Sequence, residues 1–300
     1  MTEVRELTGP PATVPMMVRA ALPAVPLVGS LPGIRRSGDS LPDVKLVRHD
    51  VALERDHVEA YSEVCGFRLR DELPLTYPHM LAFGLHMALM TDPAFPYPAI
   101  GTVHLENSIT QHRPITADER LQVSVHAEGL RPHPKGRLFD ILTEVHSGGE
   151  LVWEETTTLL RRGKGQEDAA ASPLADLEVV PGSGTTWHLP GDLGRRYAGV
   201  SGDHNPIHLY PLTAKAFGFP RQIAHGMWTK ARSVAALEGR LPDAVRVDVA
   251  FKKPVVLPAT VAFGSRPVDP DADGQKDYEF ALTKPRSGAP HLVGRTTALS

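Results

Sequence analysis

In the first half of the chain, apolar and β-branched residues alternate with polar ones in four runs, residues 100–109, 120–128, 137–145 and 151–160, separated by turn residues. A period of two predicts antiparallel strands, each with one buried face. The second half repeats the pattern at residues 244–256, 260–266, 277–283 and 292–299. Before the first set, residues 81–90 are apolar nearly all round and include His86, which predicts a fully buried helix too short to cross a bilayer. Before the second set, residues 228–237 lack glycine and proline and predict a helix with Gly226 at its N-terminus. A shorter helix is predicted over residues 212–217, ended by a turn at Gly218-Phe219-Pro220. A long antiparallel sheet curled around one apolar helix is an α+β layer architecture.

The halves echo each other residue by residue. Tyr61, Val64 and Gly66 match Tyr197, Val200 and Gly202 at an offset of 136. Pro114, preceded by Gln111-His112-Arg113, matches Pro254, preceded by Phe251-Lys252-Lys253, at 140. Ser147-Gly148 with Thr156-Thr157 match Ser287-Gly288 with Thr296-Thr297, also at 140. Three separated echoes at nearly one offset predict two copies of one domain. The expected division is an N-terminal arm over residues 1–40, a first copy over 41–162, a linker rich in Gly, Ala, Ser, Asp and Pro over 163–184, and a second copy over 185–300.

Composition narrows the classes. A chain of 300 residues with 41% hydrophobic residues can bury two ordinary cores, and a net charge of -3 argues against a strongly basic nucleic-acid binder. Cys65 is the single cysteine, so there is no disulfide framework and a reducing cytoplasm is expected, with Cys65 in a structural role. The apolar, proline-rich stretch over residues 10–33 lacks a basic start and an uninterrupted apolar core, so it reads as an arm over the surface. No membrane span is expected.

The candidate chemistry lies in the second copy. Asp203, Asn205 and His208 fall within six residues around Pro206, on a stretch from Tyr197 whose Gly and Pro content argues against helix. A carboxylate and an imidazole facing one cleft are an acid/base pair suited to adding at one carbon and protonating its neighbour. Eighteen residues on, Gly226 at a helix start offers a backbone N–H that can stabilise an oxyanion. Taken alone, the loop is an ordinary turn, with Ser201 a turn residue and not a nucleophile, His225 a cap or a packed histidine, and Tyr197 core. His204 and His208 have the spacing of a zinc pair, but Pro206 interrupts the helix and no third ligand is evident, so no metal is expected.

Tyr197, Ser201, Gly202, Asp203, Asn205, Pro206, His208, Phe217 and the run Ala224-His225-Gly226-Met227 resemble, in type and spacing, the MaoC-like or type 2 enoyl-CoA hydratases. Over the full chain the likeness is to actinobacterial 3-hydroxyacyl-thioester dehydratases of the double hot-dog type. It extends to Pro74-Leu75-Thr76-Tyr77-Pro78 and Glu106-Asn107-Ser108-Ile109. The resemblance implies a double hot-dog fold and reversible hydration of trans-2-enoyl thioesters to (R)-3-hydroxyacyl thioesters. It implies Asp203 and His208 as the catalytic pair, Asn205 orienting them or the water, and the Gly226 N–H on the thioester oxygen. Ser201, Gly202, His225 and Met227 would line the substrate. Lys252 and Lys253, with Arg113 and Arg232, are candidates for the phosphates of coenzyme A, an acyl carrier protein being the other expected carrier. No cofactor beyond the thioester is implied.

The copies are not chemically equivalent. Phe67 and Glu72 stand where the second copy has Asp203 and His208, and Tyr77-Pro78 stands where it has His225-Gly226. Proline has no N–H to offer, so the first copy reads as a non-catalytic partner. The chain is then a pseudo-dimer in itself, acting as a monomer or a homodimer. A hot-dog thioesterase and a non-catalytic acyl-binding subunit remain as alternatives.

Overall fold

The computed structural model describes residues 2–12, 16, 38–99, 101–170, 172–268 and 277–299, so the expected proline-rich arm lies almost wholly outside the described residues. In chain order come strands β1 (Glu3–Glu6) and β2 (Val44–Val51), helices α1 (Arg55–Cys65) and α2 (Pro78–Thr91), and strands β3 (Thr102–Gln111), β4 (Leu121–His133), β5 (Gly136–Ser147), β6 (Glu150–Arg162) and β7 (Thr185–Leu189). Helices α3 (Leu193–Ser201), α4 (Pro206–Leu209), α5 (Pro211–Ala216) and α6 (Gly226–Ala235) follow, then strands β8 (Val245–Phe251), β9 (Ala259–Pro267), β10 (Tyr278–Thr283) and β11 (Pro290–Ala298). Every strand and helix expected from the periodicity is present. Among the described residues no helix is long and apolar enough to cross a membrane.

The chain forms two compact units. One comprises Met1–Ala52, Pro78–Leu105 and Glu119–Ala171, and the other Leu53–Tyr77, Glu106–Asp118 and Ser172–Ser300. Each is a hot-dog, so the fold is α+β and doubled. In the first unit the strand order is β1-β2-β4-β5-β6, antiparallel throughout except for the parallel β1–β2 pair. Helix α2 packs on β2, β4 and β5. In the second unit, residues 106–111 of β3 pair with β8, and the order continues β8-β11-β10-β9-β7, antiparallel at each step.

A polar island interrupts the otherwise apolar layer beneath α2. His79 and His86, two turns apart on one face of the helix, are buried, and so is Glu155, whose register partner on β5 is Thr143. His79 Nδ1 lies 2.8 and 2.9 Å from the two Glu155 oxygens, so the ring donates to the carboxylate, and His86 Nε2 meets Thr143 Oγ1 at 2.7 Å. Burial, aided by His79, lowers the His86 pKa to about 3 and keeps that ring neutral.

In the second unit, α6 is pinned to the sheet by an unexpected residue. Lys230 is fully buried, and its Nζ donates to the Val247 carbonyl at 3.0 Å, the Asn107 carbonyl at 3.2 Å and Asn107 Oδ1. Part of the expected linker also belongs to this unit, since Leu174 and Val180 pack with Ala250, Ala281 and Val293. Cys65 is buried in line with its structural role, and burial pushes its thiol up and away from nucleophilic use.

Three helices, α1, α3 and α4, escaped the period count. Tyr197 to Ser201 is the last part of α3, and Pro206 opens the single turn α4, so the expectation of a non-helical stretch is corrected. The glycine acts at the end of the helix: Gly202, at φ 72, is a left-handed cap whose N–H reaches the Ala198 carbonyl at 3.0 Å. The proline occupies the first helical position, where its missing N–H costs nothing. Gly194 allows α4 to seat against α3, because a Cβ there would stand 2.0 Å from the His208 carbonyl oxygen.

Glu155→Leu is expected to lower the unfolding free energy by about 1–3 kcal/mol in urea titration, because it leaves the His79 donor buried without its acceptor. Glu155→Gln keeps an acceptor and should cost less. Gly194→Ala should cost about 1–3 kcal/mol through overpacking against the backbone, and an unchanged urea midpoint would contradict the contact.

Candidate active site

The loop after α3 is built by its own short polar residues. Ser201 Oγ accepts the Asp203 N–H at 3.2 Å, and Asp203 Oδ1 accepts the Asn205 N–H at 3.1 Å. Asn205 Oδ1 then caps α4 by accepting the Ile207 N–H at 3.4 Å. Each residue turns the chain for the next, and the turn carries His208 inward. Asn205 therefore orients His208 through the backbone. Ser201 and Gly202, expected to line the substrate, serve as the frame of this loop.

The buried His208 ring is held at one end. Its Nδ1 lies 2.8 Å from the Ile223 carbonyl, which can only accept, so Nδ1 carries the hydrogen and Nε2 carries the lone pair. Burial pushes its pKa below 6.5, opposed by Asp203 and by the Ile223 carbonyl, so the neutral form prevails at pH 7. His225 stacks on it with ring centroids 3.7 Å apart and planes 26° from parallel. His225 Nε2 donates to the Asp203 backbone carbonyl at 3.0 Å and stands 3.7 Å from Asp203 Oδ2. Burial and the neighbouring His208 lower the His225 pKa to about 3. A carboxylate oxygen of Asp203 and one ring nitrogen from each histidine lie within 4.8 Å of one another.

The expected pair is thus brought together, with a third member beside it. His225 is the N-cap of α6 but makes no side-chain cap bond, and it lies in contact with the pair. Gly226 follows it as the first residue of α6, where its N–H has no intrahelical acceptor. A Cβ on Gly226 would come within 3.2 Å of the Phe251 ring, so this backbone stays close to its aromatic neighbour. Met227 is buried in the first turn of the same helix.

The expected phosphate contacts fare differently. Lys252 Nζ donates to the Ala175 carbonyl at 2.7 Å, Arg113 Nη1 to the Pro114 carbonyl at 2.9 Å, and the Arg232 guanidinium lies over Trp187 at 4.4 Å. Lys253 is exposed. His204 is not gathered with His208; its Nδ1 turns back to the Gly202 carbonyl at 3.0 Å. Among the described residues, the groups with donors close enough to hold a metal ion are Asp203, His208 and His225, and His79, His86 and Glu155. In the latter, His79 and Glu155 already satisfy each other.

Two supports of the site carried no signal in the alternation of apolar and polar residues. His57 on α1 accepts from the Tyr77 hydroxyl at Nδ1, 2.7 Å away, and donates from Nε2 to the Val200 carbonyl at 2.8 Å. That bond holds the end of α3 from which the Asp203–His208 loop departs. Tyr197, buried as expected, lies 4.9 Å from the His225 ring. Its echo with Tyr61 was the available sign that this helix is shared by both copies.

Comparison with known proteins places this arrangement. The family described as MaoC like domain matches residues 185–285. The 3-hydroxyacyl-thioester dehydratase X of Mycobacterium tuberculosis is 40% identical over 273 residues, 90% of this chain and 95% of that protein. The crystal structure of HtdX from the same organism superposes with a TM-score of 0.73 at 39% identity, covering 85% of this chain and all of that one. The peroxisomal enoyl-CoA hydratase 2 of Arabidopsis thaliana is 25% identical over 201 residues, 62% of this chain and 64% of that protein. With a relative this similar along nearly its whole length, and with Asp203, His208 and His225 gathered into one cluster, the chain belongs to the MaoC-like dehydratase family.

Proposed function

We propose that the chain catalyses reversible hydration of trans-2-enoyl thioesters to (R)-3-hydroxyacyl thioesters, with the second copy, residues 185–300, as the catalytic one and residues 41–162 as its non-catalytic partner. One observation carries this reading: the Asp203 carboxylate and a neutral, oriented His208 share one cluster at the start of α6. Conjugate addition of water to an enoyl thioester removes a hydrogen from water, places a proton on C2, and builds negative charge on the thioester oxygen. Asp203 and His208 manage the protons as a coupled unit. The Gly226 N–H, aided by the positive end of α6, receives the oxygen. The carrier is coenzyme A or an acyl carrier protein, and no other cofactor enters the scheme. The reading places the enzyme in the cytoplasm as a monomer or homodimer.

Hydrolysis of the thioester, the competing reaction, would release free thiol from acyl-CoA, and none is expected. Asp203→Asn and His208→Gln, assayed on crotonyl-CoA and on a longer enoyl-CoA, should each lose about 100- to 10,000-fold in turnover, and near-normal rates in either would defeat the assignment. The pH profile offers a further check. Because burial holds the His208 pKa below 6.5, its lone pair survives to lower pH than that of an exposed imidazole. The acid limb of kcat/KM should therefore lie below pH 6.5 and change shape in His208→Gln.

A further inference from the structure

The short helix that follows His208 shows solvent what most of the chain hides. Seven large hydrophobic side chains are exposed among the described residues, and three of them, Tyr210 at 53%, Leu212 at 80% and Phe217 at 39%, fall between residues 210 and 217. Scattered singly, such side chains need no explanation, but a grouping on one segment does. Helix α5 sets which way they face. Ala214 is buried, and Thr213 Oγ1 donates to the Pro206 carbonyl at 2.6 Å, so the inner side of the helix is fixed on α4. Leu212, Lys215 and Ala216, three and four residues apart, share the opposite side and are all exposed. The patch therefore rides on the turn that carries His208, and the chain between them limits the Leu212 Cα to about 14 Å from that of His208.

Charge distinguishes this face from the rest of the molecule. The net charge of the chain is -3, yet residues 204–237 contain no Asp or Glu. Lys215 and Arg221 are exposed in that segment, and Arg195 joins from α3, its guanidinium 4.9 Å over the Tyr210 ring. An apolar centre rimmed by cations suits an acidic partner that has an apolar spot of its own. Coenzyme A has the negative charge but is too thin and polar to cover three large hydrophobic side chains. A second copy docked by the same face across a two-fold axis would bring like charges together. Resting on the hydratase reading above, we propose that the outer face of α5 is the docking surface for an acidic acyl carrier protein, with Leu212 at its centre and Lys215 and Arg195 meeting carboxylates of the carrier. A carrier held there presents its pantetheine thioester beside the loop of Asp203 and His208. A face this small gives the brief, salt-sensitive encounter that repeated turnover needs.

The measurement is kcat/KM for the crotonyl thioester of an acyl carrier protein divided by kcat/KM for crotonyl-CoA, in the wild type, Leu212→Glu and Lys215→Glu, with melting temperatures taken alongside. Both side chains point to solvent, so neither substitution enters the core. Each is expected to lower the ratio about tenfold through the KM of the carrier substrate, with crotonyl-CoA turnover unchanged. Lys215→Arg should keep the ratio. Unaltered ratios in both glutamate variants, or equal losses on both substrates, would overturn the proposal, and so would a wild type active on crotonyl-CoA but not on the carrier substrate. If the ratio holds while Leu212→Glu abolishes binding to phosphatidylglycerol vesicles, or splits a dimer on size exclusion, the face serves a membrane or a second copy and the proposal fails. A wild type inactive on both substrates would instead remove the hydratase reading itself.

Discussion

The hydrogen bond from His208 Nδ1 to the Ile223 carbonyl, 2.8 Å long, decides what the surrounding residues can do. It fixes the tautomer, aims the lone pair, and ties the turn after the Asp203 loop to the segment leading into α6. The two segments are zipped together on both sides of it. The Ile223 N–H donates to the Ile207 carbonyl at 3.0 Å, and the Ala224 N–H to the Val255 carbonyl at 2.9 Å. With these in place His225 lies over His208, and Gly226 begins α6 in the next residue. Asp203, His208 and the Gly226 N–H thus come from a single folded knot, so their mutual geometry does not depend on mobile side chains finding one another.

The two copies support each other in a way their sequences partly disclose. His57 donates to the Val200 carbonyl, and Trp228 Nε1 donates to the Val64 carbonyl at 2.9 Å. Val64 and Val200 are counterparts at the offset of 136. Each copy therefore sends a ring N–H to the same carbonyl of the other's helix. Tyr77, which stands where the second copy has His225, serves this exchange through its hydroxyl on His57. The position that lies beside Asp203 and His208 in one copy holds the frame in the other.

Much of this was legible in the chain, for reasons that differ between elements. The strands declared themselves because one buried face imposes a period of two, and α2 because an apolar run has no other place to go. The pair Asp203 and His208 was legible because local turn chemistry, Ser201 to Asp203 to Asn205, is written in adjacent residues. Helix α3 was not, because Gly202 and Pro206 act at helix ends, where they favour the structure they would break in the middle, and Gly199 is tolerated inside it. The polar island was not legible either. Glu155 lies on a strand 76 residues from His79, and only the β5–β6 register and the packing of α2 bring carboxylate and imidazole together. His225 could be read as packed or capping, and its proximity to Asp203 depended on the same knot.

Where the second copy has Asp203, the first copy uses the position for packing. Phe67, the counterpart of Asp203, is buried and stacks on Tyr61 with centroids 6.2 Å apart and planes 18° from parallel. Tyr61 in turn lies 5.4 Å from Tyr77 and 6.3 Å from Tyr197, and Tyr197 packs on His225. A continuous row of rings thus runs from Phe67 to the His225 and His208 imidazoles. An aspartate at position 67 would remove the first ring of that row and place a charge against apolar faces that cannot solvate it. Glu72 faces a small cavity of about 80 Å³ with Arg70 and Glu238, far below the several hundred cubic ångströms of an ordinary ligand site. An aspartate in the first copy would therefore take away packing that reaches His225 in the second, since both positions belong to one row of rings.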